Sequence, residues 1–133
     1  MKSRKILVDA SAILAVILEE PEKEVIVKFT EGKELVSVGC LKWEIGNAFS
    51  AMLKQKRIDG STIEEGLSVF FQIPYEIVRE DLSQAMRLCD KHNIYAYDAY
   101  YIDAAIRNRL PLLSLDKRMN AIAEMENLEI MEV

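Results

Sequence analysis

The chain has 133 residues, half of them hydrophobic and 29% charged, which fits one globular domain with a genuine core and excludes a disordered chain. The 22 acids outnumber the 17 lysines and arginines, and the net charge of −5 argues against a nonspecific polyanion binder. No apolar run is long enough for a bilayer and the N-terminus shows no signal-peptide pattern, so a cytoplasmic protein without membrane contact is expected. Cys40 and Cys89 are too few for a zinc ribbon or a disulfide framework and read as reduced thiols.

The first element is the apolar run Ile6-Leu7-Val8, which suits a strand buried on both faces. It ends in Asp9, and a small-residue helix follows over residues 11 to about 19 with Ser11 as its expected cap. After Pro21, Val25, Ile26 and Phe29 recur at helical spacing until Gly32 stops them. Residues 34–38 read as a second strand, and residues 41 to about 56 as a longer helix with Ile45, Ala48, Phe49 and Met52 on one face. Gly60 breaks the chain, and Ser61 with Glu64 forms a capping box for a helix through about residue 71. Residues 75–78 make a short strand; Asp81 and Gln84 then open a helix that Asn93 closes. A helix over 97–109, a strand over 112–115, a helix over 117–125 and a last strand over 128–131 complete the chain. Strands alternating with helices predict one α/β domain, residues 1–133, with a mainly parallel sheet.

Four acids fall where this layout brings side chains to one edge of the sheet. In open parallel sheets, the carboxyl ends of the strands line the ligand crevice. Asp9 follows the first strand, and Asp116 repeats that geometry after Leu112-Leu113-Ser114-Leu115. Glu44 and Asp98 stand in the first turns of helices. Each alone has an ordinary explanation, since acids favour the positive end of a helix and Asp commonly caps one. Together they form an all-oxygen set without Cys or His, which suits Mg²⁺ or Mn²⁺ rather than zinc.

The segments Val8-Asp9-Ala10-Ser11-Ala12, Trp43-Glu44-Ile45-Gly46-Asn47-Ala48, Tyr97-Asp98-Ala99 and Leu113-Ser114-Leu115-Asp116-Lys117-Arg118 resemble the successive motifs of PIN-domain ribonucleases. Small single-domain toxins of the VapC type are the nearest resemblance, and it covers essentially the whole chain. It implies a three-layer α/β/α sandwich and metal-dependent cleavage of RNA. Asp9, Glu44, Asp98 and Asp116 match the acidic positions that serve as catalytic residues and metal ligands for one or two ions. Ser114 matches the hydroxyl before the last acid, and Asn47 a polar position one helical turn after the glutamate. Ser11 is a supporting residue beside Asp9. A homodimer and an inhibitory antitoxin protein are also implied.

Other polar residues receive structural readings. Asp103 lies about 140° around its helix from Asp98 and reads as a surface or salt-bridge acid. His92, near a helix end, reads as a dipole partner. Tyr95, Tyr97, Tyr100 and Tyr101 fit core or dimer packing better than stacking on RNA bases. Lys54, Lys56 and Arg57 read as solvated surface, as do Lys117 and Arg118, although the second pair adjoins Asp116 and phosphate could meet it. Two other functions compete: a catalytically silent scaffold of the same fold, and an aspartyl-phosphate protein. A phosphatase of the second kind wants an acid where Ser11 stands, and a receiver wants an acidic pair that the sequence lacks.

Overall fold

In the computed structural model, which describes residues 4–133, the run Ile6-Leu7-Val8 forms a central strand. This strand, β1 (Lys5–Val8), pairs in parallel with β2 (Glu34–Ser37) on one side and β4 (Leu112–Leu113) on the other. Outside β2 lies β3 (Glu76–Ile77), giving the order β3-β2-β1-β4 with every pairing parallel. Side chains of a strand alternate between faces, so each strand feeds two cores. Ile6, Val8 and Leu113 pack under α1 (Ala10–Ile17), α2 (Lys23–Thr30), α3 (Leu41–Lys54) and α4 (Gly60–Gln72). Leu7, Val36 and Leu112 face α5 (Leu82–His92), α6 (Ala96–Asn108) and α7 (Lys117–Met125). Burying each such aliphatic side chain contributes roughly 1.5–3 kcal/mol against the entropy of ordering it. The result is the expected α/β/α sandwich. No helix among the described residues is long and apolar enough to cross a membrane.

Strand order positions the site. The chain steps outward from β1 to β2 and β3, then returns to place β4 on the other side of β1. The crevice beyond the carboxyl ends of β1 and β4 is therefore a topological switch point, where α/β sheets open to ligands.

Several local expectations need correction. Asp9, not Ser11, caps α1: its carboxylate accepts from the backbone N–H of Ala12, and Ser11 lies inside the helix. Likewise Asp59 replaces Ser61 as the cap of α4, accepting from both the backbone and the hydroxyl of Thr62. In both cases an Asp stands two residues before the Ser and reaches the orphan N–H groups first. The Asp81 cap on Gln84 and the left-handed stop at Asn93 do form. The last strand shrinks to one parallel bridge between Leu112 and Ile130.

Candidate active site

Parallel pairing of Val8 with Leu113 brings the residues that follow the two strands side by side. Asp9, 3% exposed, is held there on both oxygens. Its Oδ1 accepts from Ser11 Oγ at 2.7 Å and from Ala12 N at 3.0 Å, and its Oδ2 accepts from Ser114 Oγ at 2.5 Å. The serines also tie the strands together. Leu115 N donates to Ser11 Oγ at 2.9 Å, and Asp116 N donates to Ser114 Oγ at 3.0 Å. Asp116 in turn caps α7 through Oδ1, which accepts from Met119 N at 3.0 Å. The expected supporting roles of Ser11 and Ser114 thus have a geometry: both fix Asp9 at the mouth of the switch point.

Glu44 reaches the edge from the first turn of α3, and Asp98 from the first turn of α6. Both are half-buried, and Glu44 Oε1 is shut away from solvent with no hydrogen-bond partner. Asn47 stands exposed one turn beyond Glu44. No hydrogen bond joins it to the acids among the described residues.

Electrostatics link the four carboxylates. Burial raises the proton affinity of Asp9; Ser114, Ser11 and Ala12 oppose that rise, and Asp116 adds to it. Glu44 is raised first by burial and then by Asp9 and Asp98, with Tyr101 acting against it. Asp98 is raised by burial and by Asp116, and Arg118 pulls the other way. The couplings Asp9–Asp116, Asp116–Asp98, Asp98–Glu44 and Glu44–Asp9 therefore close a ring. Among the described residues, no three acids, histidines or cysteines form a group that could hold a metal ion as folded. Free oxygens remain on the acids. Both lone pairs of Asp9 Oδ1 are engaged, but Oδ2 keeps one, and Glu44 Oε1 makes no well-formed hydrogen bond.

These features decide the comparison with known proteins. The PIN domain family matches residues 6–125, a span that takes in all four acids. This chain belongs to the PIN-domain family. Ribonuclease VapC3 of Pyrobaculum aerophilum is 30% identical over 122 residues, covering 86% of this chain and 92% of that protein. The crystal structure of PAE2754, also from Pyrobaculum aerophilum, superposes with a TM-score of 0.70 at 24% identity. That overlay covers 92% of this chain and 87% of the other, and it bears on the fold alone.

The remaining polar residues of the PIN domain sort differently from expectation in one case. Asp103 is not at the surface. It is 3% exposed, accepts from Asp81 N at 2.6 Å and pairs with Arg107 Nε at 3.4 Å, joining α6 to the cap of α5. The expected salt bridge exists, but it is buried on the acid's side. His92 does sit in the last turn of α5, with Nε2 2.7 Å from Glu126 Oε2. Arg118 is exposed, yet its guanidinium is engaged, donating to the carbonyls of Asn93 at 2.9 Å and His92 at 3.4 Å. Tyr95 is 86% exposed, whereas Tyr101 lies in the core at 1%. Cys40 and Cys89 are free, as expected. The expected core packing holds for Tyr101, but sequence reasoning, which set it beside Asp98, missed its coupling to Glu44. The available signal was its position three residues after Asp98, on the same face of one helix.

Proposed function

We propose that this PIN domain is a metal-dependent endoribonuclease, the toxin of a toxin–antitoxin pair. One observation carries the reading: four carboxylates, three of them held above their ordinary pKa range, are coupled in a ring, and among the described residues no lysine or arginine is ion-paired to any of them. Carboxylates gathered in this way repel one another until a proton or a cation enters. The free oxygens on Asp9 and Glu44, in an all-oxygen donor set, fit Mg²⁺ or Mn²⁺. Asp9, Glu44, Asp98 and Asp116 would hold one or two ions. Bound there, the metal supplies electrostatic stabilisation of charge on the phosphodiester and a more acidic water.

The protein's own part is positional. Ser11 and Ser114 lock the Asp9 rotamer, so the acid need not reorganise when a ligand arrives. Glu44 Oε1, buried and without a well-formed hydrogen bond, keeps lone-pair capacity with which to accept from a water and orient it. The name of the Pyrobaculum relative supports RNA as the substrate class and an antitoxin as partner. A homodimer and a cytoplasmic location complete the proposal. An aspartyl-phosphate mechanism is disfavoured because Asp9 is buried and both its oxygens already accept hydrogen bonds. The lack, among the described residues, of three acids, histidines or cysteines grouped to hold an ion is the one observation on the side of a silent scaffold.

The deciding experiment is cleavage of a single-stranded or looped RNA by purified protein in Mn²⁺ and in excess chelator. Cutting that needs the metal supports the proposal. Cutting that is indifferent to chelator overturns its metal dependence, and no cutting in any divalent cation leaves the scaffold.

A further inference from the structure

Tyr101 is among the largest fully buried side chains, yet its hydroxyl meets no well-formed hydrogen-bond partner. Glu44 Oε1 is in the same condition. Glu22 Oε1 and Asn120 Oδ1 are likewise unpartnered among the described residues, and each such orphan ordinarily costs about 1–3 kcal/mol. Tyr101 and Glu44 differ from those two in belonging to the same neighbourhood. Glu44 lowers its proton affinity in response to the phenol, and the phenol is pushed upward by burial and then by Glu44, with Cys40 and Asp9 adding smaller pushes. A phenol ordinarily carries its proton at neutral pH and can donate one hydrogen bond.

The backbone explains why the hydroxyl is there. Tyr101 lies three residues after Asp98, so α6 presents both to the same side. Its ring lies in the core cluster with Leu7, Val36 and Leu112, which Cys40 at the start of α3 packs against, and the groups acting on the phenol are Glu44, Cys40 and Asp9. One helix therefore supplies an acid of the ring and a donor coupled to it.

We propose that Tyr101 is the positioning residue for Glu44, its hydroxyl donating to Oε1 and holding the carboxylate in the acidic ring. A buried donor is a strict constraint. It leaves Oε1 one lone pair and fixes the direction in which that lone pair points, which is what a group that orients a water or a cation requires. A phenol suits this task better than a lysine, because it directs the carboxylate without cancelling its charge.

The activity arm of the test rests on the nuclease reading, so the first arm does not use activity. Tyr101→Phe keeps the ring and deletes the donor. Thermal unfolding of the wild type, Tyr101→Phe, Glu44→Gln and the double variant closes a double-mutant cycle. If the oxygens are partners, Tyr101→Phe lowers the melting temperature, and the double variant's shift falls short of the sum of the singles. If Tyr101 Oη is a true orphan, removing it leaves the melting temperature unchanged or raises it, and additive shifts overturn the pairing.

In the second arm, Tyr101→Phe loses kcat by roughly tenfold, the equivalent of one hydrogen bond to a charged group, with KM for RNA little changed. In the Glu44→Gln background the same substitution has no further effect on kcat. An equal loss in both backgrounds would make Tyr101 merely structural and overturn the inference. A wild type that cuts no RNA would defeat the nuclease reading and leave the unfolding cycle standing as the judge of the pairing.

Discussion

Asp9 and Asp103 are the two fully buried carboxylates among the described residues, and they solve burial in opposite ways. Asp103 is paired with Arg107 one helical turn away, a cation it shares with Asp81, and accepts from the Asp81 backbone N–H. Asp9 has three neutral donors and acidic neighbours, Glu44 and Asp116, with no lysine or arginine paired to it. A buried charge is costly unless paired. Asp103 is therefore complete as folded, whereas Asp9 is stable only at the expense of a raised proton affinity. On the metal-dependent reading proposed above, the pairing that Asp103 finds inside the chain is one Asp9 would take from solution. Structural acid and site acid are distinguished by what is missing around them, not by burial.

The largest effect should come from removing the Asp9 charge. Asp9→Asn preserves the shape and should reduce RNA cleavage by more than about a hundredfold, beyond the loss expected for an outer-shell partner. Steady-state rates normalised to folded protein check this. Asp103→Asn should leave the rate per folded molecule nearly unchanged, and an equal loss in both variants would erase the distinction between the two acids.

Next in size is the response to cation and pH. A divalent ion that binds only the folded site stabilises by about 2.7 kcal/mol at a hundred times Kd. Without it, burial keeps Asp9, Glu44 and Asp98 above their ordinary values. The folded state then binds protons that the unfolded chain has released. Cation-free stability should thus be greatest below the ordinary carboxylate range and decline as pH rises through the raised values. Glu126 runs the other way. Hydrogen bonds from Lys91 and His92 lower it, so its contribution is present above the ordinary range and is lost as pH falls through its lowered value. Melting in chelator should therefore rise from neutral to mildly acidic pH, and millimolar Mn²⁺ should raise the neutral value most. Asp9→Asn should flatten both trends.

Asp103 offers the converse effect on stability. Asp103→Ala strips the partner from Asp81 N–H and from Arg107, and should destabilise by roughly 1–3 kcal/mol in urea unfolding. The Mn²⁺ increment should survive in full. Smaller still is Ser11→Ala, which takes one donor from Asp9 Oδ1 but leaves Ala12 and Ser114 in place. It should cost about tenfold in rate, and because Leu115 N–H loses its acceptor it should also lower the melting temperature.

The sequence disclosed much of this arrangement for identifiable reasons. Asp9 and Asp116 could be placed because each ends an apolar strand, and parallel strands carry such residues to one edge. The helix caps were legible in kind but not always in position. In Asp9-Ala10-Ser11 and Asp59-Gly60-Ser61 two cap-competent residues compete, and only the backbone decides which reaches the N–H groups. Asp103 was correctly separated from Asp98 by helical angle. Its burial was not legible, because its backbone donor lies 22 residues away on another element. Tyr101 was hidden for a related reason: four tyrosines crowd one short segment, and only packing against α5 and the sheet shows which of them turns inward.

Direct titration with Mn²⁺, read by the loss of the free-ion paramagnetic signal, tests the central claim that Asp9 lacks a cation the solution must supply. Wild type and Asp103→Asn should bind the ion alike, and Asp9→Asn should bind it at least about tenfold more weakly. Equal binding by wild type and Asp9→Asn, or no binding by wild type at millimolar Mn²⁺, would contradict the account.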